Sequence, residues 1–151
     1  MTSYFLKQWI EARTRFSNQL EDLSENDLKK TLGDSPNSVG FLVRHIAEVE
    51  LLFAKNVFKA DDIKVTGKTI IDGKDTGKWT DLSDLKDFQS YAYNSLKQAI
   101  SKQNESDWKK EITTKEFGTK TLAEAFGRVL SHTAYHAGQM AIINKYGNIN
   151  Q

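Results

Sequence analysis

The sequence predicts an all-α fold, a four-helix bundle, on three observations. Four long stretches repeat apolar residues at spacings of three and four, the period of a helix with one buried face. A single proline occurs in 151 residues, which suits helix because proline lacks the amide that the helical ladder needs. Little besides turns and one long polar connection separates the stretches. The length fits one domain, residues 1–151, large enough for a buried core.

The first stretch runs from Tyr4 to Leu23, with Phe5, Trp9, Ala12, Phe16, Leu20 and Leu23 on its apolar side. Glu11, Arg13, Arg15 and Glu21 suit its solvated sides. Ser24, with Asp27 three residues on, reads as the start of a short second piece that ends near Gly33. Gly33 to Asn37 is a turn around Pro36. Asn37 or Ser38 caps the next helix, which runs to about Phe58. Its stripe is Phe41, Leu42, Ile46, Val49, Leu52, Phe53 and Val57, and His45 lies on it. Arg44, Glu48 and Lys55 fall toward solvent or the stripe's edge.

Lys59 to Thr80 changes character, rich in Lys, Asp, Gly and Thr, and reads as a long connection with a short extended piece at Thr69-Ile70-Ile71. Connections of this length are uncommon in compact domains and are often functional, though this one also suffices simply to carry the chain along a bundle. Thr80 or Ser83 starts the third long helix, to about Gln103, with Leu82, Leu85, Phe88, Tyr91 or Ala92, Leu96, Ala99 and Ile100 inward. Trp108 to Thr113 and Glu116 to Lys120 read as a short hairpin. Thr121-Leu122-Ala123-Glu124 is a capping box that opens the last helix, and Gly147 ends it. Leu122, Ala125, Phe126, Val129, Thr133, Met140 and Ile143 face inward there.

Composition narrows the function. Twenty-one basic residues against twenty acidic ones leave a formal charge of +1, which argues against nucleic acid as partner. No apolar run approaches membrane-spanning length, and the first residues lack a secretory pattern. Cysteine is absent, which removes disulfides, thiolate ligands and a cysteine nucleophile and fits a cytoplasmic protein.

The chain has three histidines. His132 and His136 stand four residues apart on the last helix, so their rings stack on one face. With His45 they map to core-facing or flanking positions. Two readings are open. They are ordinary helix and core histidines, each satisfied by a backbone or hydroxyl group, or they share one divalent metal. Buried imidazoles need partners, and a shared ion satisfies one nitrogen on each ring. Three histidine ligands leave a fourth position for water or substrate, as in catalytic zinc sites. Zinc and nickel both suit imidazole. Gln139 suits a hydrogen bond near such a centre or a plain polar edge. Glu48 suits either a carboxylate behind His45 or a solvated position. Gly138 permits close helix packing, Tyr135 packs, and Trp9, Trp79 and Trp108 fill the core or edge a pocket. No residue stands out as general acid or base, and the catalytic residues are unknown.

His45-Ile46-Ala47-Glu48 on one helix and Ser131 to Gln139 on another, with histidines at 132 and 136 followed by Gly138-Gln139, resemble the signature of the DinB family of metalloenzymes. The resemblance spans nearly the whole chain. It implies an up-down-down-up four-helix bundle, which gives the connection at 59–80 the task of joining helices two and three. It implies a divalent metal held by His45, His132 and His136, and commonly a homodimer. Some relatives are transferases or isomerases that use low-molecular-weight thiols, and many have no known substrate. The sequence therefore supports a metal-dependent, thiol-using transferase or a hydrolase acting on a small molecule. The rival readings are a non-enzymatic dimeric helical protein with a structural or ligand-binding metal, and a plain helical scaffold.

Overall fold

The computed structural model describes residues 1–149. Its α-helices are α1 (Thr2–Asp22), α2 (Val39–Leu52), α3 (Lys68–Asp72), α4 (Leu82–Ser101) and α5 (Leu122–Tyr146). Four short strands accompany them: β1 (Lys30–Thr31), β2 (Glu111–Thr114), β3 (Gly118–Thr121) and β4 (Asn148–Ile149). The fold is thus mostly helical, as the periodicity requires. No helix among the described residues is long and apolar enough to cross a membrane.

Local chemistry sets the boundaries. The Ser38 hydroxyl accepts from the Phe41 amide at 3.1 Å and caps α2. The Asp81 carboxylate does the same for α4, accepting from Asp84 at 2.9 Å. Thr121 and Glu124 exchange both bonds of the expected capping box at α5. Gly147 does end α5, yet with ordinary φ (−77°). Glycine is needed there for room: a Cβ would stand 2.6 Å from the Thr31 carbonyl oxygen. That closeness follows from the antiparallel pairing of β1 with β4, which ties the end of α5 to the segment after α1. The hairpin forms as β2 and β3, beginning slightly later than expected because Trp108 is buried in a single 3₁₀ turn before it.

α1 packs on α4 and α5, and α2 packs on the same two helices, so α1 and α2 face each other across the middle. Two apolar clusters fill the interior. One holds Trp9, Leu51, Phe53, Leu96, Ile100, Trp108 and Phe126. The other holds Phe16, Leu28, Leu42, Ile46, Leu85 and Met140. Between them lies a polar layer with one residue from each long helix. The Arg13 guanidinium donates to both Glu50 carboxylate oxygens, at 2.9 and 3.1 Å, and to Gln89 Oε1 at 2.5 Å. The Thr133 hydroxyl donates to Glu50 Oε1 at 3.2 Å. Gln89 Nε2 donates to the Val43 carbonyl at 2.6 Å.

This layer corrects the sequence reading. Arg13 does not lie on a solvated side; it is 4% exposed, because its partner Glu50 comes from a helix that periodicity within α1 cannot see. Ala12, assigned to the apolar stripe, is exposed instead. Residues 69–71 are not extended; they lie in α3, bracketed by Gly67 and Gly73, the latter at φ 66°. Ile70 and Ile71 are exposed while Thr69 is buried. The connection folds back onto α2 closely enough that a Cβ on Gly40 would meet the Trp79 carbonyl oxygen at 1.9 Å.

Two outcomes follow for stability. Arg13→Met strands a buried carboxylate and is expected to cost about 3–5 kcal/mol, whereas Arg13→Met with Glu50→Leu regains most of that; urea unfolding of both variants checks the pair. Gly40→Ala is expected to lose about 1–3 kcal/mol through overpacking against the connection, despite the better helix propensity of alanine; thermal melts read the sign directly.

Candidate metal centre

His45 comes from the middle of α2, and His132 and His136 come from successive turns of α5. Packing of α2 on α5 brings the three rings together. Ring centroids of His45 lie 4.9 Å from those of both His132 and His136, and the latter two are 4.5 Å apart. One ring nitrogen from each histidine lies within 4.8 Å of the others. His45 Nε2 and His132 Nε2 approach to 3.1 Å.

Hydrogen bonding assigns the protons. The Glu48 Oε2 oxygen accepts from the Thr69 amide at 2.9 Å and from the Thr69 hydroxyl at 2.5 Å. The hydroxyl proton being committed there, Thr69 Oγ1 accepts from His45 Nδ1 at 2.9 Å. His45 is therefore the tautomer with a bare lone pair on Nε2. Likewise His136 Nδ1 donates to Gln139 Oε1 at 2.6 Å, leaving its Nε2 bare. His132 Nδ1 is buried with no partner among the described residues.

The electrostatics agree. Burial, reinforced by the neighbouring His136, pushes the His45 pKa down to about 4. Burial, then His136 and His45, pushes that of His132 down to about 3. His136 is lowered too, by burial, against an opposing bond from Gln139. The site thus gathers neutral imidazoles whose lone pairs face a shared volume with no proton between at least two of them. That donor set fits a divalent cation bound by nitrogen, and the bonds on the far nitrogens of His45 and His136 fix the orientation and tautomer of those rings.

Three residues stand behind the rings, two of which, Glu48 and Gln139, the sequence offers as candidates beside a plainer alternative for each. Glu48 is fully buried, not solvated, since Arg44 Nε donates to its Oε1 at 2.8 Å while Thr69 takes Oε2. The Arg44 guanidinium in turn lies 3.5 Å from the Phe88 ring centroid and 4.9 Å from that of Trp79. Thr69 belongs to the connection, and only the flanking Gly67 and Gly73 mark its short helix in the sequence. Gln139 holds His136. A methyl group placed on the Gly138 Cα would meet no atom within 4 Å, so this glycine does not serve close packing within the chain. Tyr135, expected to pack, is exposed, with its ring centroid 5.1 Å from that of His136. Trp9 and Trp108 are core residues, and Trp79 sits under Arg44, so none edges the site.

A cavity of about 600 Å³ opens off His45 and His132. Its walls come from α2, α3, the hairpin tip and a five-residue π turn, Phe53–Val57, that continues α2. The Phe58 amide reaches back five residues to the Phe53 carbonyl, 3.0 Å, which widens the helix there. Such π turns recur beside functional sites.

A family model for the DinB superfamily matches residues 8–140. Neither the curated proteins nor the solved structures contain a match to the chain.

The depressed histidines set a pH dependence for protein stripped with a chelator. Unfolded chains take up protons near the ordinary value of 6.5, and the folded site does not until about 4 at His45 and about 3 at His132. The unfolded state thus binds more protons in that interval, and stability falls as pH falls. Melting temperature should be level above about pH 7 and decline from 6.5 downward, with a shallower decline in His132→Gln; an equal slope in the variant would contradict the assignment.

Proposed function

The chain belongs to the DinB superfamily, and from that premise we propose that it is a metal-dependent enzyme acting on a small molecule. His45, His132 and His136 hold one divalent ion, zinc or nickel, through ring nitrogens. The observation that carries this reading is the convergence of their ligating nitrogens within 4.8 Å while Thr69 and Gln139 take the outward N–H groups of His45 and His136. Bound there, the ion supplies Lewis-acid chemistry, lowering the pKa of a thiol or water that reaches it.

The chain's own residues do the rest. Glu48, through Thr69, holds the proton on the far nitrogen of His45 and raises the basicity of the near one. Gln139 does the same for His136. The cavity beside His45 and His132 gives access from one side, which favours an ion with a reactive position over a closed structural one. The reaction we infer is thiol-dependent transfer, or hydrolysis. We read the four long helices as an up-down-down-up bundle in a single domain, with residues 59–80 joining the second long helix, α2, to the third, α4. A homodimer is proposed on the exposed face of small residues that α1 and α5 share around Ala12, Ala134, Gly138 and Ala141.

Tag-free protein titrated with zinc or nickel and measured by mass spectrometry of the metal should bind about one ion per chain, as a three-histidine site requires. The His45→Ala, His132→Ala, His136→Ala triple variant should bind none at the same protein concentration. Failure of the parent to take up either metal, or retention by the triple variant, contradicts the assignment.

A further inference from the structure

The cavity off the histidines has a chemical character of its own. Six apolar side chains wall it: Val49, Leu52, Phe53, Val57, Ile70 and Phe117. The chain carries 21 lysines and arginines, yet none lines this cavity. The one carboxylate in the wall, Glu116 at the hairpin tip, is paired with Arg128 Nη2 at 3.5 Å. Uncharged polar groups are limited to Asn56 and Thr114. His45 and His132 are half-buried, whereas Glu116 and Ile70 are exposed. A volume of about 600 Å³ suits a small organic ligand.

A ligand filling this space is desolvated against hydrocarbon along its length. Any carboxylate or phosphate on its body would lose water without gaining a cation from the wall, since Arg128, which reaches Glu116 beside it, is already engaged there. Only at the histidine end does a charged donor find compensation. We propose that the cavity binds a small molecule with a single donor group at that end and an uncharged aryl or branched-alkyl body, and that it selects against ligands with further anionic groups. Thiols built on peptides or sugar acids are thereby disfavoured. Phe117 is the specificity-determining residue of the hairpin: half-buried, it stands 6.2 Å ring to ring from Phe53 and closes the apolar wall. The position of the donor group rests on the metal reading above, whereas the character of the body does not.

Two probes test this: 4-tert-butylphenylmethanethiol, which is neutral, and 4-carboxyphenylmethanethiol, which adds one carboxylate to a similar body. Calorimetric titrations of each use both zinc-loaded and metal-free protein. The neutral thiol should bind about tenfold tighter than the anionic one on either form, the scale expected for desolvating one unpaired charge partly at a cavity mouth. Phe117→Ala should weaken the neutral thiol about fivefold to tenfold while leaving zinc stoichiometry unchanged, as loss of buried aromatic area predicts. Ile70→Lys, at an exposed position, should bring the anionic thiol level with the neutral one. Equal or tighter binding of the anionic thiol to the parent, an unaltered ranking in Ile70→Lys, or no measurable binding of the neutral thiol overturns the proposal. Failure of zinc to bind would overturn the metal reading alone, since the ranking is read on metal-free protein too.

Discussion

The buried pair between Arg13 and Glu50 constrains the rest of the molecule. A guanidinium and a carboxylate taken out of water must meet each other with good geometry, or their desolvation outweighs any gain. Here both Glu50 oxygens are used, and Gln89 and Thr133 complete the layer. The pair spans α1 and α2, each of which also packs on α4 and α5. Apolar contacts alone tolerate sliding of one helix along another; a layer that must match donor to acceptor does not. Four helices are thereby fixed in height and rotation at one level. Thr133 precedes Ala134 on α5 and adjoins His132, so the rotation that delivers its hydroxyl to Glu50 also turns both α5 histidines toward α2. On α2, Glu48 and Glu50 flank Val49 and point to different sides, one to the site and one to the core.

The histidine cluster shows how proton placement organises a volume that could hold a cation. Each oriented ring gives its N–H outward, and burial keeps the His45 and His132 rings neutral through the neutral range. Glu48 controls His45 without touching it, by fixing which way the Thr69 hydroxyl points. Substituting serine at position 69 would keep that logic, and substituting valine would remove the acceptor that chooses the tautomer.

Much of this was legible in the sequence wherever information is local. The i,i+4 spacing of His132 and His136, the position of His45 on its stripe and the capping box at Thr121 depend on one helix at a time. They emerge from periodicity and spacing, and the structure places the three rings together. What periodicity could not supply were pairings across the fold. Arg13 reads as a surface residue until Glu50 faces it. Glu48 reads as solvated until the connection lays Thr69 over it. Residues 69–71 read as extended because two β-branched isoleucines follow a threonine, yet tertiary contacts and the bracketing glycines select one helical turn.

The connection has a consequence for how the molecule opens. Thr69 is anchored to α2 through Glu48 and to the site through His45, so residues 59–80 and the imidazole ring cannot relax independently. Peeling the connection away exposes a buried carboxylate, frees the tautomer of His45 and uncovers one wall of the cavity in a single event. The local opening free energy of that segment and the affinity for whatever occupies the shared volume of the rings are therefore linked quantities. Each must change when the other does, by the same amount. Occupancy of the site is therefore expected to be readable in the solvent exchange of a stretch of chain that resembles a spacer.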